Sequence, residues 1–141
     1  MHETNHIIIC SGDNAALAAQ GDVKTVVNEP GRNPSPNLSA GVRVGNMFYA
    51  SGQLGGRDST IEGQTKAALE NTKRVMELGG TTMENVVKCT VFLTRAADFQ
   101  PMNAVYRTFW PKDPPARSTV IVAALVTPSA LIEIECMAVM P

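Results

Sequence analysis

The segment from Pro114 to Val139 decides the fold: Pro114-Pro-Ala-Arg-Ser-Thr-Val-Ile-Val-Ala-Ala-Leu125, a break at Thr127-Pro-Ser129, and then Leu131-Ile-Glu-Ile-Glu-Cys-Met-Ala-Val139. Both apolar runs are rich in β-branched residues, and the Pro/Ser break separates them. They therefore predict two β-strands joined by a turn. Three charged side chains, Arg117, Glu133 and Glu135, lie within these otherwise apolar runs and need an explanation.

Spacing alone leaves two explanations of these charges open. Successive side chains of a strand alternate, so Glu133 and Glu135 point one way and the isoleucines beside them point the other way. In the first explanation the glutamates share a solvated face, and Arg117 begins a strand at a wet edge. In the second, the planar guanidinium and a carboxylate converge from neighbouring strands on a small polar ligand.

Upstream, the pattern predicts strands followed by a helix. Lys24–Asn28 has strand character, and Gly45-Asn46 between two apolar segments is typical of a tight hairpin. Ser59-Thr-Ile-Glu62 fits a capping box at the start of an amphipathic helix. Gly79-Gly80 is expected to end that helix.

A further strand and a second helix precede the segment that begins at Pro114. The second helix is predicted over about Phe99–Trp110, with Asp98 as its cap. One face of the strand before it is expected to consist of Val87, Cys89, Val91 and Leu93.

This order of elements predicts an α+β fold. Two helices cannot cover both faces of a mixed sheet of about six strands, so we expect a two-layer sandwich with both helices on one face. The run Ser118–Leu125 is apolar on both of its faces, so something must also bury the second face of the sheet. Another copy of the chain is the simplest candidate, which predicts an obligate oligomer.

Length and composition narrow the classes of function. At 141 residues we expect one domain, and 12 Lys+Arg against 13 Asp+Glu argue against general nucleic-acid binding. The longest apolar run, Val120–Val126, is too short to span a membrane. The cysteines Cys10, Cys89 and Cys136 fit no zinc-site spacing, and we expect buried, reduced thiols in a cytoplasmic protein.

The residues named so far match a known pattern. Pro115-Ala-Arg-Ser118, the aliphatic residues after it and Ile132-Glu-Ile134 resemble the RidA family, also called the YjgF/YER057c/UK114 family. The likeness covers roughly residues 24–140. Its upstream part lies at Gly41, Gly45-Asn46, Ser51-Gly-Gln53, Gln64-Thr65, Asn71, Val87–Phe92 and Met102–Tyr106.

The resemblance implies a fold, an assembly and an activity. The fold is chorismate-mutase-like, and the assembly is a homotrimer with sites at the subunit interfaces. The activity is deamination, without a cofactor, of reactive enamines and imines to 2-keto acids and ammonia. Residues 24–141 would form this domain, and residues 1–23 fall outside the resemblance, so we expect them to be a poorly ordered extension.

By the same resemblance, Arg117 grips the substrate carboxylate and Glu133 orients a water molecule as acid and base. Asn103 and Ser51 line the same pocket. The only histidines, His2 and His6, lie in the extension, so the domain offers no imidazole base, and no metal triad or phosphate loop is evident.

Two positions depart from the family pattern. Leu38 stands where the deaminases usually have a tyrosine that contacts the ligand, and Thr119 replaces a common cysteine near Arg117. These two departures leave open whether the protein turns over imines and which imines it accepts. The alternatives are a trimer that binds a small keto or amino acid without catalysis and, less favoured because core histidines are lacking, a ribonuclease or translation inhibitor.

Overall fold

The computed structural model describes residues 23–141. The predicted extension therefore lies outside the described residues, apart from Val23. Within residues 23–141 the chain forms two α-helices and seven strands, which are β1 (Thr25–Val27), β2 (Gly41–Val44), β3 (Met47–Ala50), β4 (Gln53–Leu54), α1 (Ile61–Leu78), β5 (Val86–Leu93), α2 (Phe99–Phe109), β6 (Ala116–Ile121) and β7 (Ile132–Val139).

The strands form one mixed sheet in the order β1-β2-β3-β7-β5-β6, with β4 paired to β7 beyond β3. Every pair is antiparallel except β5 with β6, which are parallel because α2 connects them. Helix α1 packs against β7, β4 and α2. The predicted α+β sandwich, with both helices on one face of the sheet, is confirmed.

The start of α1 differs by one residue from the prediction. Thr60, not Ser59, is the N-cap, and its hydroxyl accepts a hydrogen bond from the Gly63 amide at 3.0 Å. Asp58 fixes Thr60 by accepting from both its amide and its hydroxyl at 2.7 Å. The aspartate therefore selects Thr60 as the cap, and the capping box predicted at Ser59 is wrong.

Strand β5 contains a bulge that the sequence did not reveal. Val86 pairs with Ala138 and Lys88 with Met137, so the extra residue Val87 is pushed outward and is 39% exposed. A bulge shifts the alternation of side chains by one position. Val87 therefore does not share the face of Cys89, and the predicted face is wrong at this residue. Cys89, Val91 and Leu93 do share one face, as predicted, and all three are buried.

Strand β6 is shorter than predicted. It ends at Ile121, and the amide of Val122 donates to the Leu93 carbonyl at 2.8 Å as the last contact with β5. The chain then turns away, and Val126 is 97% exposed. The predicted strand up to Leu125 is wrong, because residues after Ile121 have no partner strand.

The prediction of reduced thiols is also wrong for two of the three cysteines. Cys89 and Cys136 are buried as expected, but they are directly opposite each other on β5 and β7. Their Cα atoms are 4.1 Å apart, and a disulfide joins them. Strand register brings them together. Their separation of 47 residues in the sequence does not reveal that register. Cys10 lies outside the described residues.

Gln64 of α1 ties two loops to the core. Its buried side-chain amide donates to the carbonyls of Asp58 at 2.8 Å and Ser129 at 3.1 Å. Its oxygen accepts from the Leu131 amide at 2.8 Å. A buried amide with all these partners fixes the backbone around it. The loop that leads into β7 is therefore held firmly just before Glu133.

Candidate active site

Arg117 projects from β6 toward the helices. In the parallel pair it is in register with the buried Cys89, and in-register side chains share a face of the sheet. Its guanidinium carbon lies 4.6 Å from the ring centroid of Tyr106 and 5.8 Å from that of Phe99, both on α2. Nη1 lies 3.9 Å from the sulfur of Met102. Arg117 is thus surrounded by aromatic and apolar groups.

The charge of Arg117 is not neutralised by a carboxylate in the described part of the chain. Its side chain is half-buried, and none of the ion pairs among residues 23–141 includes it. A partly desolvated guanidinium has five N–H donors, and sulfur and ring faces satisfy them poorly. The side chain therefore keeps its capacity to bind a planar anion through two parallel hydrogen bonds.

A cavity of about 420 Å³ opens beside Arg117. Asn103 lines it together with Arg117. The sequence interpretation missed its other walls, which are Tyr106, Arg107, Trp110, Pro114 and Pro115. A signal for the helix residues was available, because positions 103, 106, 107 and 110 follow the i, i+3, i+4, i+7 spacing of one helix face.

Tyr106 is the unusual member of this cavity. Only 5% of it is exposed, and its hydroxyl is the one buried side-chain polar atom in the described residues without a hydrogen-bond partner. Burial raises the pKa of Tyr106 to about 12, against the opposing effect of the nearby Arg117 charge. The phenol therefore stays neutral at physiological pH.

Glu133 projects from the opposite face of the sheet. It lies between the buried Ile132 and Ile134 of β7, so alternation turns it away from the helices. It makes no ion pair within the described residues. Its carboxylate lies against Gly52, where an added Cβ would overlap Oε1. Glycine at this position makes room for the carboxylate.

Ser51 and Leu38 lie near Gly52. All three line a cavity of about 360 Å³, which Glu133 itself does not line. The Ser51 hydroxyl donates to the Ser39 carbonyl at 2.6 Å, and its amide donates to Ala40 at 3.0 Å. Leu38 is 61% exposed. The serine thus fixes the loop that presents Leu38.

The six candidate site residues therefore form two groups. Arg117, Asn103 and Thr119 lie on the helix side at β6 and α2, since Thr119 is in register with the buried Val91. Glu133, Ser51 and Leu38 lie around β4 and the loops before it. The cavity beside Arg117 is lined by none of Glu133, Ser51 and Leu38, and the cavity beside Ser51 is lined by none of Arg117, Asn103 and Thr119.

Residues 23–141 provide neither a metal site nor a membrane-spanning helix. No group of His, Cys, Asp and Glu side chains there could hold a metal ion. Neither helix is both long and apolar enough to cross a membrane.

Fold and site together define a small two-layer α+β protein of the chorismate-mutase-like kind. Residues 27–140 match the family described as Endoribonuclease L-PSP. The chain belongs to this family, which includes the YjgF and RidA proteins, and the resemblance seen in the sequence is confirmed.

Named relatives of this chain support the same family assignment. The chain is 36% identical over 124 residues to 2-iminobutanoate/2-iminopropanoate deaminase of Dermatophagoides farinae, covering 82% of this chain and 96% of that protein. It is 37% identical over 107 residues to the chloroplastic Reactive Intermediate Deaminase A of Arabidopsis thaliana, covering 71% of this chain and 57% of that protein.

Solved structures share the fold. The YjgF gene product of E. coli superposes with a TM-score of 0.75 at 31% identity, covering 83% of this chain and 99% of that one. Yeast Mmf1 gives a TM-score of 0.79 at 26% identity, covering 84% of this chain and all of that one.

Proposed function

We propose that this protein hydrolyses reactive 2-enamine and 2-imine acids to 2-keto acids and ammonia without a cofactor. The observation that supports it is the half-buried Arg117 guanidinium, which has no acidic partner in the described residues and faces a cavity shared with Asn103. Such a group suits a small substrate with a carboxylate. The names of two relatives, a reactive intermediate deaminase and an iminobutanoate/iminopropanoate deaminase, point the same way.

The reaction needs little from the protein, because an imine already has an electrophilic carbon. Arg117 binds the substrate carboxylate and fixes that carbon in place. Glu133 accepts a proton from water as the water oxygen bonds to the carbon. Both water protons pass to the nitrogen, the carbon–nitrogen bond breaks, and ammonia leaves a 2-keto acid behind. An enamine first becomes the imine by gaining a proton at its β-carbon and losing one from its nitrogen, so that the number of protons is unchanged.

Because Arg117 and Glu133 point to opposite sides of the sheet, we propose that the complete site forms between two chains of a homotrimer. Arg117 and Asn103 of one protomer would meet Glu133, Ser51 and Leu38 of the next. The open face of the sheet offers a surface for this assembly, since Val26, Tyr49 and Val120 on that face are 46%, 45% and 41% exposed. Exposed apolar residues on one sheet face favour association.

The first experiment measures ammonia and 2-keto acid from freshly generated imines of several amino acids, with wild type, Arg117→Ala and Glu133→Gln. Acceleration by the wild type that both substitutions abolish, in intact oligomers, supports the proposal. Unchanged turnover in Arg117→Ala removes the proposed anchor.

A mixing experiment tests the position of the site. The two inactive variants are co-expressed with different tags, and mixed oligomers are purified through both tags. In a cyclic trimer, every mixed assembly has one interface with Arg117 on one side and Glu133 on the other, so about a third of wild-type activity should return. As a control, each variant is co-expressed with itself under the two tags and purified in the same way. No recovery in the mixed oligomers contradicts a site shared between chains.

A second candidate is binding without turnover, which Leu38 favours because it supplies no hydroxyl to the cavity that it lines with Ser51. Calorimetric binding of a 2-keto acid with no ammonia release from any imine would support this candidate over the first. RNA cleavage that co-purifies with the protein and disappears in Arg117→Ala would instead support the activity in the family's description.

A further inference from the structure

Arg117 lies at one end of a column of aromatic side chains. Its guanidinium lies over the Tyr106 ring at 4.6 Å, within the range of a cation–π interaction. Phe99 is farther away at 5.8 Å, and the Met102 sulfur is a weak acceptor. Since no carboxylate holds the guanidinium within the described residues, the Tyr106 ring is its principal contact.

The Tyr106 ring is itself fixed from behind. Its centroid lies 4.8 Å from that of Trp110, with the ring planes tilted by 39°. The indole N–H of Trp110 donates to the Met83 carbonyl at 2.8 Å, and both aromatic residues are buried. The column therefore connects Arg117, through two rings, to the backbone turn before β5.

The hydroxyl group does not account for the presence of a buried tyrosine at position 106. It has no hydrogen-bond partner among the described residues, and an unpaired buried hydroxyl does not stabilise the fold. What Tyr106 supplies is its ring face. The face carries the negative part of the ring quadrupole, which attracts a cation.

We propose that Tyr106 is a positioning residue, which holds the Arg117 guanidinium flat so that its N–H donors face the cavity and a ligand carboxylate. The proposal rests on the proposed function, because it makes Arg117 the carboxylate anchor. It assigns to Tyr106 an effect on carboxylate binding and none on the bond-breaking step.

The test compares Tyr106→Phe with Tyr106→Leu. Affinity for 2-oxobutanoate, an unreactive keto acid, is measured by calorimetry, and KM and kcat are measured with imines. We expect Tyr106→Phe to stay within about twofold of wild type and Tyr106→Leu to raise Kd and KM about tenfold with kcat nearly unchanged. A folded Tyr106→Leu protein that binds 2-oxobutanoate as wild type does would overturn the proposal.

A second series keeps the proposal testable if Tyr106→Leu does not fold. Phenylalanine, monofluorinated phenylalanine and trifluorinated phenylalanine are placed at position 106. Fluorine withdraws charge from the ring face with little change in shape, so affinity for 2-oxobutanoate should fall in that order. Equal affinities across the series would contradict the proposal. Failure of the proposed function is separate, since it appears as absent ammonia release by the wild type.

Discussion

Arg117 and Glu133 project from opposite faces of the same sheet. Cys89 of β5 is in register with Arg117 of β6 on one side and with Cys136 of β7 on the other, so these three side chains share the helix face. Glu133 is three residues before Cys136 and therefore points the other way. Within one chain the two groups therefore lie on different sides of the sheet.

The shape of the Arg117 side chain, and not only its charge, should matter for binding. Arg117→Lys keeps the positive charge but loses the planar fork and the flat contact with the Tyr106 ring. We expect KM for imines to rise about tenfold, and more in Arg117→Ala. Arg57→Ala, in an exposed loop, is the control and should behave as wild type. A lysine variant with wild-type KM would show that charge alone is sufficient.

Gly52→Ala should impair turnover while the fold survives. The new methyl group would overlap the end of the Glu133 side chain, which can rotate away at little cost. The free energy of unfolding should therefore change by less than about 1 kcal/mol, whereas kcat should fall at least about tenfold because the carboxylate is displaced. Chemical denaturation and ammonia release measure the two effects. A wild-type kcat would show that the position of Glu133 is not critical.

Gly55→Ala is the matched contrast, because Gly52 and Gly55 flank the two residues of β4. There the added Cβ would overlap the backbone of Gln64 in α1, which cannot rotate away. We expect destabilisation of about 1–3 kcal/mol, as in other overpacked positions. The same denaturation experiment measures it, and equal stabilities of the Gly52 and Gly55 variants would contradict this account.

Local patterns predicted most of the fold. Gly45-Asn46 gave the hairpin between β2 and β3, and alternation at Ile132-Glu-Ile134 correctly separated the buried from the outward side chains. These signals depend only on neighbouring residues. The bulge at Val87 and the early end of β6 depend on which strands pair, and no pattern within either segment encodes that.

For the candidate site too, the local sequence pattern does not reveal which elements pack together. The spacing of Asn103, Tyr106, Arg107 and Trp110 is visible in the sequence, but the side of α2 that meets β6 is set by the packing of the whole domain. The family resemblance named Arg117 and Glu133 together. It did not reveal that they face opposite ways within one protomer, because that follows from strand register.

The Cys89–Cys136 disulfide should leave one alkylatable thiol of the three cysteines when the protein is unfolded without reductant. Mass spectrometry after alkylation counts the labels. Reduction should lower the free energy of unfolding by about 2–4 kcal/mol, because the crosslink no longer restricts the unfolded chain. Cys10→Ser should then show no labelled thiol before reduction. Three labels on the unreduced wild type would contradict the crosslink.

Tyr106 should make the protein lose stability at alkaline pH. Burial raises its pKa to about 12, whereas an unfolded tyrosine titrates near 10. Below pH 10 both states keep the proton. As the pH rises toward 12, only the unfolded state releases it, so unfolding becomes easier.

Between pH 8 and pH 11 the wild type should therefore lose roughly 1 kcal/mol more than Tyr106→Phe, which has no proton to release. Chemical denaturation of both proteins at one concentration measures the difference, since the stability of the proposed oligomer would depend on concentration. Parallel losses in the wild type and Tyr106→Phe would show that the Tyr106 phenol is not held in the environment described.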